Sequence, residues 1–595
     1  MSGIAGIIKL NNNTGIKQGD FEKFFSCILI NNCKEKVIQK LNENGYIGIG
    51  ELNGLKPKWF WDKHRKVHLF IWGEAFIKGK ENLNNEYRLK SITALWQETK
   101  NQIVNHLSGF YNIYIYDEND QQHFLFNSRF GMMPLYYSIK ENTLFFSSRL
   151  QSFIDYPYYQ SSLNKNALLQ YLVFNYPINN SSFVKDVKLL PAAASISGTN
   201  EWEIKKYDNH SWLLNPPIYN FSEGKNLVNE ALNKSINKFT SLKSHIGCTL
   251  TGGWDGRLIL SYLTKQDNCP FFLYTYGKKN HPDMKVARKL TAKFNFDHVP
   301  VFLEDDFVDN YESLSDESLY LSGGLRPANR SHYILMAKTL FEKTHSVISG
   351  NCASNILKIV QKPSPVYNKN VLKLFLNKNI EDAAAEVYKL FFHNNPWIKP
   401  FISKDEFVAS ILDSEIIKDN NLPPGRKFYH FLLTNSERKY FGSEIASYAS
   451  YIYNYSPFID SEVMESIVKT PYFGGHYNLL EQRPGIRYHL SKLYADLMLS
   501  NNPKLAKFTS DRGFPITWFL TPQGRAAGFF KKKIINRFTQ QKDDNPFNHR
   551  EGLKHLSRVW KEDNEFFTLS DHNTFDETFV NAISWNHWFK KYFEK

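Results

Sequence analysis

Leu250-Thr251-Gly252-Gly253-Trp254-Asp255-Gly256-Arg257 is the stretch on which the fold turns. Ile246 to Leu250 before it is a short apolar run that reads as a strand, and Leu258 to Leu263 after it opens a helix. A glycine pair at such a junction lets the backbone approach an anion closely. Backbone N–H groups and the positive end of the helix favour a phosphate there. Asp255 stands where a carboxylate could hold Mg²⁺ against phosphate oxygens. A tight strand-to-helix turn without a ligand carries the same local pattern.

Working outward, Phe271 to Tyr276 is apolar, and Met284 to Phe294 places Ala287, Leu290 and Phe294 at helical spacing. Val299 to Leu303, a helix near 331–342 and Val347-Ile348 continue the alternation. Strands alternating with helices predict an α/β unit with a doubly wound parallel sheet. Beyond residue 360 the patterns are mostly helical. Upstream, Gly3–Ile8, Tyr46–Gly50, His68–Trp72, Phe110–Tyr116, Gln122–Phe126 and Thr143–Ser147 read as short strands of a sandwich. Helices are expected near 20–42 and 86–106, covering the sheets, and 160–210 reads as a connector. The expected domains are 1–210 and 211–595.

The 595 residues are 42% hydrophobic and 15% aromatic, ample for buried cores and unlike a disordered chain. No apolar run approaches about 18 residues, so a membrane span is not expected. The start, MSGIAGIIKL, lacks the basic and long apolar regions of a secretory signal. Cysteines 27, 33, 248, 269 and 352 are odd in number and unclustered, which points neither to disulfides nor to zinc. A cytoplasmic protein is the simplest reading. The net charge is +14, but Lys and Arg are spread along the chain, with Lys531-Lys532-Lys533 the densest run. That reads as a solvated surface, with neither nucleic acid nor membrane as partner.

Several motifs, in order, resemble the class B asparagine synthetase family. Met1-Ser2-Gly3-Ile4 is similar to its Met-Cys-Gly-Ile start, and Trp72-Gly73-Glu74-Ala75-Phe76 to its Asn-Gly-Glu segment. Gly131-Met132-Met133-Pro134-Leu135-Tyr136 and Ser147-Ser148-Arg149 follow, then Leu189-Leu190-Pro191. Thr251 to Asp255 resembles the pyrophosphate loop, Ser349-Gly350 the opening of Ser-Gly-Glu-Gly-Ala-Asp-Glu, and Pro457-Phe458-Ile459-Asp460 the Pro-Phe-Leu-Asp segment. Gly513-Phe514-Pro515 falls in the late Lys-x-Gly-Phe region. The resemblance covers nearly the whole length. It implies an N-terminal-nucleophile (Ntn) glutaminase αββα sandwich joined to an ATP-pyrophosphatase domain with a helical C-terminal part.

The departures matter as much as the matches. Ser2 replaces the nucleophilic Cys, and a thiol is far more nucleophilic near neutral pH. Trp72 replaces an Asn of the glutamine pocket, while Gly73 persists. Ser108, in Leu107-Ser108-Gly109, replaces the Asp that meets the glutamine α-amine. Together these imply a degenerate glutaminase site.

In the second domain the resemblance implies ATP at Leu250, Thr251, Gly252, Gly253, Asp255 and Gly350, with Mg²⁺ on Asp255. Yet Gly350-Asn351-Cys352-Ala353-Ser354-Asn355 has lost every carboxylate of its segment, and Asp511 stands at the late catalytic Lys. Asp255, Asp460 and Arg512 are the residues expected to act, Arg512 or Lys507 replacing the missing cation. Three functions stay open. The first is an ATP-dependent ligase that adenylates a small-molecule or peptide carboxylate for attack by an amine, as in lasso-peptide macrolactam synthetases. The others are a silent family member that binds or scaffolds, and an ammonia-fed asparagine synthetase. Partner proteins or a homodimer are compatible with each.

Overall fold

The computed structural model describes residues 3–10, 15–30, 33–41, 45–209, 211–213, 216–243, 245–266, 269–357, 359–414, 417, 422–481, 483–538, 550–570 and 575–594. Among them, the first strands are β1 (Gly3–Lys9), β2 (Glu35–Leu41), β3 (Gly45–Glu51), β4 (Trp59–Asp62), β5 (Val67–Ile77) and β6 (Leu107–Asp117). They are followed by β7 (Gln122–Asn127), β8 (Tyr136–Lys140), β9 (Thr143–Ser147), β10 (Lys188–Leu189), β11 (Ala194–Gly198) and β12 (Trp202–Lys206). Two antiparallel sheets result, in the orders β10-β8-β9-β1-β3-β2 and β12-β11-β7-β6-β5-β4. The internal strands β1, β3 and β5 are almost wholly buried, whereas edge strand β12 ends in exposed Lys205-Lys206, a charge pattern that blunts edge pairing.

Phe70, Trp72, Tyr114, Leu125 and Phe146 fill the space between the sheets. The outer face of β5 and β6 packs Val67, Leu69, Ile113 and Ile115 against Ile92 and Trp96 of the helix Asn85–Thr99. The helix Gln18–Ser26 covers β1 and β3 on the other side. These are the αββα layers that the sequence leads one to expect.

Two expectations need correction. The helix near 20–42 stops at Ser26, and Glu35–Leu41 is β2, paired with β3 along seven residues; its β-branched Val37-Ile38 suits a strand. Residues 160–210 are more than a connector. They hold the buried helix Lys165–Phe174 and strands β10 to β12, which extend both sheets.

The second sheet system is parallel, with β13 (Ile246–Thr249), β14 (Phe271–Gly277), β15 (His298–Phe302), β16 (Ser346–Ile348) and β17 (Tyr453–Tyr455) in the order β15-β14-β13-β16-β17. The sheet is thus α/β and doubly wound. Strand β17 escaped the sequence reading because three residues show no periodicity. The order reverses at β13, so the loops after β13 and β16 meet at the carboxyl edge, where ligands bind in such sheets. The remainder is helical and returns to the first unit. Arg438 donates to the Gly131 and Leu190 carbonyls, and Arg149 to those of Leu321 and Ala446. One continuous apolar core runs through both parts.

Candidate active site

Central strand β13 delivers the loop 250–254 to the N-terminus of the helix Asp255–Leu263. The Leu250 side chain is fully buried; its N–H donates to the Tyr274 carbonyl at 2.8 Å and its carbonyl accepts from Thr275 Oγ1 at 2.7 Å. It therefore anchors the loop in the sheet. Helix and strand approach so closely that a Cβ on Gly256 would lie 2.3 Å from the Thr249 carbonyl oxygen. That contact explains the glycine where the resembling family has Ser.

The two loop glycines donate within the protein. Gly253 N–H reaches Thr251 Oγ1 at 3.1 Å, and Gly252 N–H reaches Asp283 Oδ1 at 2.7 Å. Asp511 closes over the same spot. A Cβ on Gly252 would stand 2.6 Å from Asp283 Oδ1 and 2.5 Å from the Asp511 Cβ. Burial, with the neighbouring Asp511 carboxylate adding to it, raises the Asp283 carboxyl, although the Gly252 amide, His281 and Arg257 oppose this.

Arg257 is the functional side chain that the motif reading quoted without a role. It is buried, and its guanidinium donates to the carbonyls of Gly252 (3.1 Å), Phe508 (3.1 Å) and Thr509 (3.3 Å). It thereby straps the 508–511 segment onto the loop. Burial pushes it down to about 10, with Asp511 and Asp283 acting in the other direction.

Asp255 Oδ2 accepts from Ser354 Oγ at 2.7 Å, and a Cβ on Gly350 would lie 2.7 Å from the Asp255 Cβ. The loops after β13 and β16 therefore do meet at Asp255. Ser354 satisfies with a hydroxyl what a second carboxylate would repel. Arg512 stacks 4.3 Å from the centre of the Trp254 ring, and the Lys507 side chain is exposed.

Asp460 belongs to a different cluster. It is fully buried, ion-paired with Lys238, accepts from the Tyr455 hydroxyl at 2.8 Å and caps the helix Ser461–Val468 through the Glu462 amide at 3.0 Å. Against its burial, Lys238 and these donors hold its carboxyl below the usual range. Lys238 also donates to Ser108 Oγ at 3.3 Å. The ammonium thus sits beside the position where the family presents an anion to the amine of glutamine.

In the sandwich, Ser2 lies outside the described residues. Trp72 is buried between the sheets, opposite Asn112, and its indole N–H has no partner among the described residues. Gly73 has φ +104°, and a Cβ there would meet the Phe110 carbonyl oxygen at 2.2 Å. Glu74 pairs with Lys58 (3.1 Å), Arg88 (3.1 Å) and Lys243 (2.7 Å), which hold its carboxyl well below the usual range despite burial.

An antiparallel αββα sandwich joined to a doubly wound sheet with a Gly-Gly loop at its switch point defines a two-domain protein of amidotransferase architecture. Comparison with known proteins agrees. Residues 82–213 match a glutamine amidotransferase domain and residues 227–358 an asparagine synthase domain. Asparagine synthetase [glutamine-hydrolyzing] 2 of Bacillus subtilis strain 168 is 25% identical over 291 residues, covering 45% of this chain and 38% of that protein. Asparagine synthetase [glutamine-hydrolyzing] 1 of the same strain is 21% identical over 219 residues, covering 36% and 34%. The matches thus span well under half the length of either relative. Among solved structures, that of the allosteric regulatory enzyme of purine biosynthesis shares 11% identity at a TM-score of 0.24, covering 47% of this chain and 66% of that one. The chain belongs to the asparagine synthetase family. Trp72 and Gly73 precede the matched amidotransferase stretch.

ATP and Mg²⁺, which the family implies, do not fit the loop as it stands. One glycine amide is bonded to a carboxylate and the other to a hydroxyl. Two carboxylates, Asp283 and Asp511, face the place a phosphate would take. Among the described residues no three His, Cys, Asp or Glu side chains gather as a metal site, and none of the helices is long and apolar enough to cross a membrane.

Proposed function

We propose that this chain is a catalytically silent member of the family, a binding or scaffold protein that neither hydrolyses glutamine nor adenylates a carboxylate. The observation that carries this reading is the Asp283 carboxylate on the Gly252 N–H, with Asp511 beside it. Stabilising a departing pyrophosphate needs donors and cations aimed at the oxygens that gain charge. Here carboxylates take those positions, and the nearest guanidinium, Arg257, is spent on backbone carbonyls. The Trp72 ring and the Lys238 ammonium against Ser108 speak likewise against glutamine.

A second reading is supported by the retained contact of Asp255 with the Gly350 loop at the switch point. It is an ATP-dependent amide ligase that activates a small-molecule or peptide carboxylate, macrolactam formation being one form. An ammonia-fed asparagine synthetase is a third. Isotope exchange between pyrophosphate and ATP separates them. The expected result is no exchange above a heat-killed control with aspartate or with acidic peptides, and no glutamate release from glutamine. Brisk exchange with any carboxylate overturns the silent reading.

A further inference from the structure

A cavity of about 370 Å³ opens between the end of the second antiparallel sheet and the start of the helix Ser461–Val468. Its polar lining includes Lys78, Ser108, Ser128, Arg129, Lys206 and Ser461. It shares Ser108 with the degenerate glutaminase positions but is lined by neither Trp72 nor Gly73 nor any residue of β1. Its volume lies in the range of small-ligand pockets, roughly 300 to 1,000 Å³.

Ser128 is the telling residue. It is 3% exposed, and its Oγ is buried without a hydrogen-bond partner among the described residues. A buried hydroxyl left unbonded is unfavourable by about 1–3 kcal/mol, so a ligand atom that satisfies it gains what the empty protein forgoes. Arg129 follows directly. Its Nε is paired with Asp208 and its Nη1 with Glu465, and the cation lies 5.6 Å from the Trp212 ring centre. Neither ion pair uses Nη2. The guanidinium is held in place from two sides with one edge left to donate. Lys78 points its Nζ to the Asn105 carbonyl at 2.8 Å, and burial together with Arg129 lowers it. Three cations thus border the cavity against Asp208, with Glu465 behind Arg129. Phe110, Tyr111, Phe130 and Tyr207 give it aromatic walls, which a lone inorganic oxyanion would leave uncovered.

We propose that this interdomain cavity binds a small organic carboxylate, its carboxyl oxygens meeting Ser128 Oγ and Arg129 Nη2 and its carbon frame lying on the aromatic walls. Because Ser461 belongs to the second unit and Ser128 to the first, the bound molecule fastens the two together. This goes beyond the silent reading and rests on neither the phosphate loop nor a nucleotide.

The test is calorimetric titration of the full chain, without nucleotide, with succinate, citrate, L-aspartate and L-glutamate, and with inorganic phosphate for comparison. The expected result is saturable binding of at least one carboxylate. Ser128→Ala should weaken it about tenfold while leaving the melting temperature of the unliganded protein unchanged or higher, since no protein bond is lost. Lys78→Met should weaken it and flatten its salt dependence. Absence of saturable carboxylate binding in the millimolar range overturns the proposal. So does phosphate binding as tightly as every carboxylate, or binding that neither substitution alters. Pyrophosphate exchange by the unmutated protein would sink the silent reading and leave this one standing, whereas failed carboxylate binding does the reverse.

Discussion

Asp283→Ala combined with Asp511→Lys should turn the loop after β13 into a nucleotide site. In the native chain a phosphate oxygen can reach the Gly252 N–H only by displacing Asp283 Oδ1, 2.7 Å away. A hydrogen bond to a charged group is worth about 1.5–3 kcal/mol. The same oxygen would sit about 4 Å from the Asp511 carboxylate, since that side chain closes on the Gly252 Cβ position. At an effective dielectric of about 20, a like charge at about 4 Å opposes binding by about 4 kcal/mol. Together these effects lower affinity by roughly four decades.

Asp283→Ala alone should therefore tighten MgATP binding by about 10- to 100-fold, and the double variant by more, because Lys replaces repulsion with attraction. Titration calorimetry with MgATP reads this, and circular dichroism confirms that the fold persists. Burial and Asp511 raise the Asp283 carboxyl, so it becomes neutral at a higher pH than an ordinary carboxyl. Affinity of the unmutated protein should accordingly rise as pH falls toward the carboxylate range. Micromolar MgATP binding by the unmutated protein, indifferent to both substitutions, would refute the reasoning.

Glu437 is fully buried beside Cys352 and Asn355, and burial pushes its carboxyl from 4.5 up to about 8. At about 1.4 kcal/mol per pKa unit, this opposes folding by up to about 5 kcal/mol. The stability is fully present below the unfolded-state value and is lost as pH rises through about 8; Glu437→Gln should flatten urea midpoints measured between pH 5 and 8 and raise the one at pH 8. Equal pH slopes in the two proteins would contradict this. Lys238→Met leaves Asp460 buried and unpaired and should destabilise by about 3–5 kcal/mol; adding Asp460→Asn should recover part of that loss in thermal melts. No recovery would mean that Lys238 acts through something other than this pair.

Much of the architecture was legible because it is written in local periodicity. Gly3–Ile8, Phe110–Tyr116 and Thr143–Ser147 show their strands as short apolar runs, and the strand, glycine pair and helix around residue 252 lie within eighteen consecutive residues, 246–263. The identities of Ser2, Trp72 and Ser108 were likewise plain, as were the carboxylates missing from 350–355. What failed locally was what pairing decides: β2 inside an expected helix, β10 to β12 inside an expected connector, and the three-residue β17.

The site divides the same way. That Gly252, Asp255 and Gly350 belong to one place follows from motif order. That the Gly252 amide is already bonded does not, because its acceptor Asp283 lies 31 residues away and Asp511 arrives from a later segment strapped down by Arg257. Asp460 matched its motif, yet its carboxylate faces Lys238 and Ser108. Side-chain type and backbone period are properties of neighbouring residues, so the sequence by itself determined the elements and the losses. Which polar group satisfies which depends on segments brought together only by burying a common core, and that the tertiary structure alone decided.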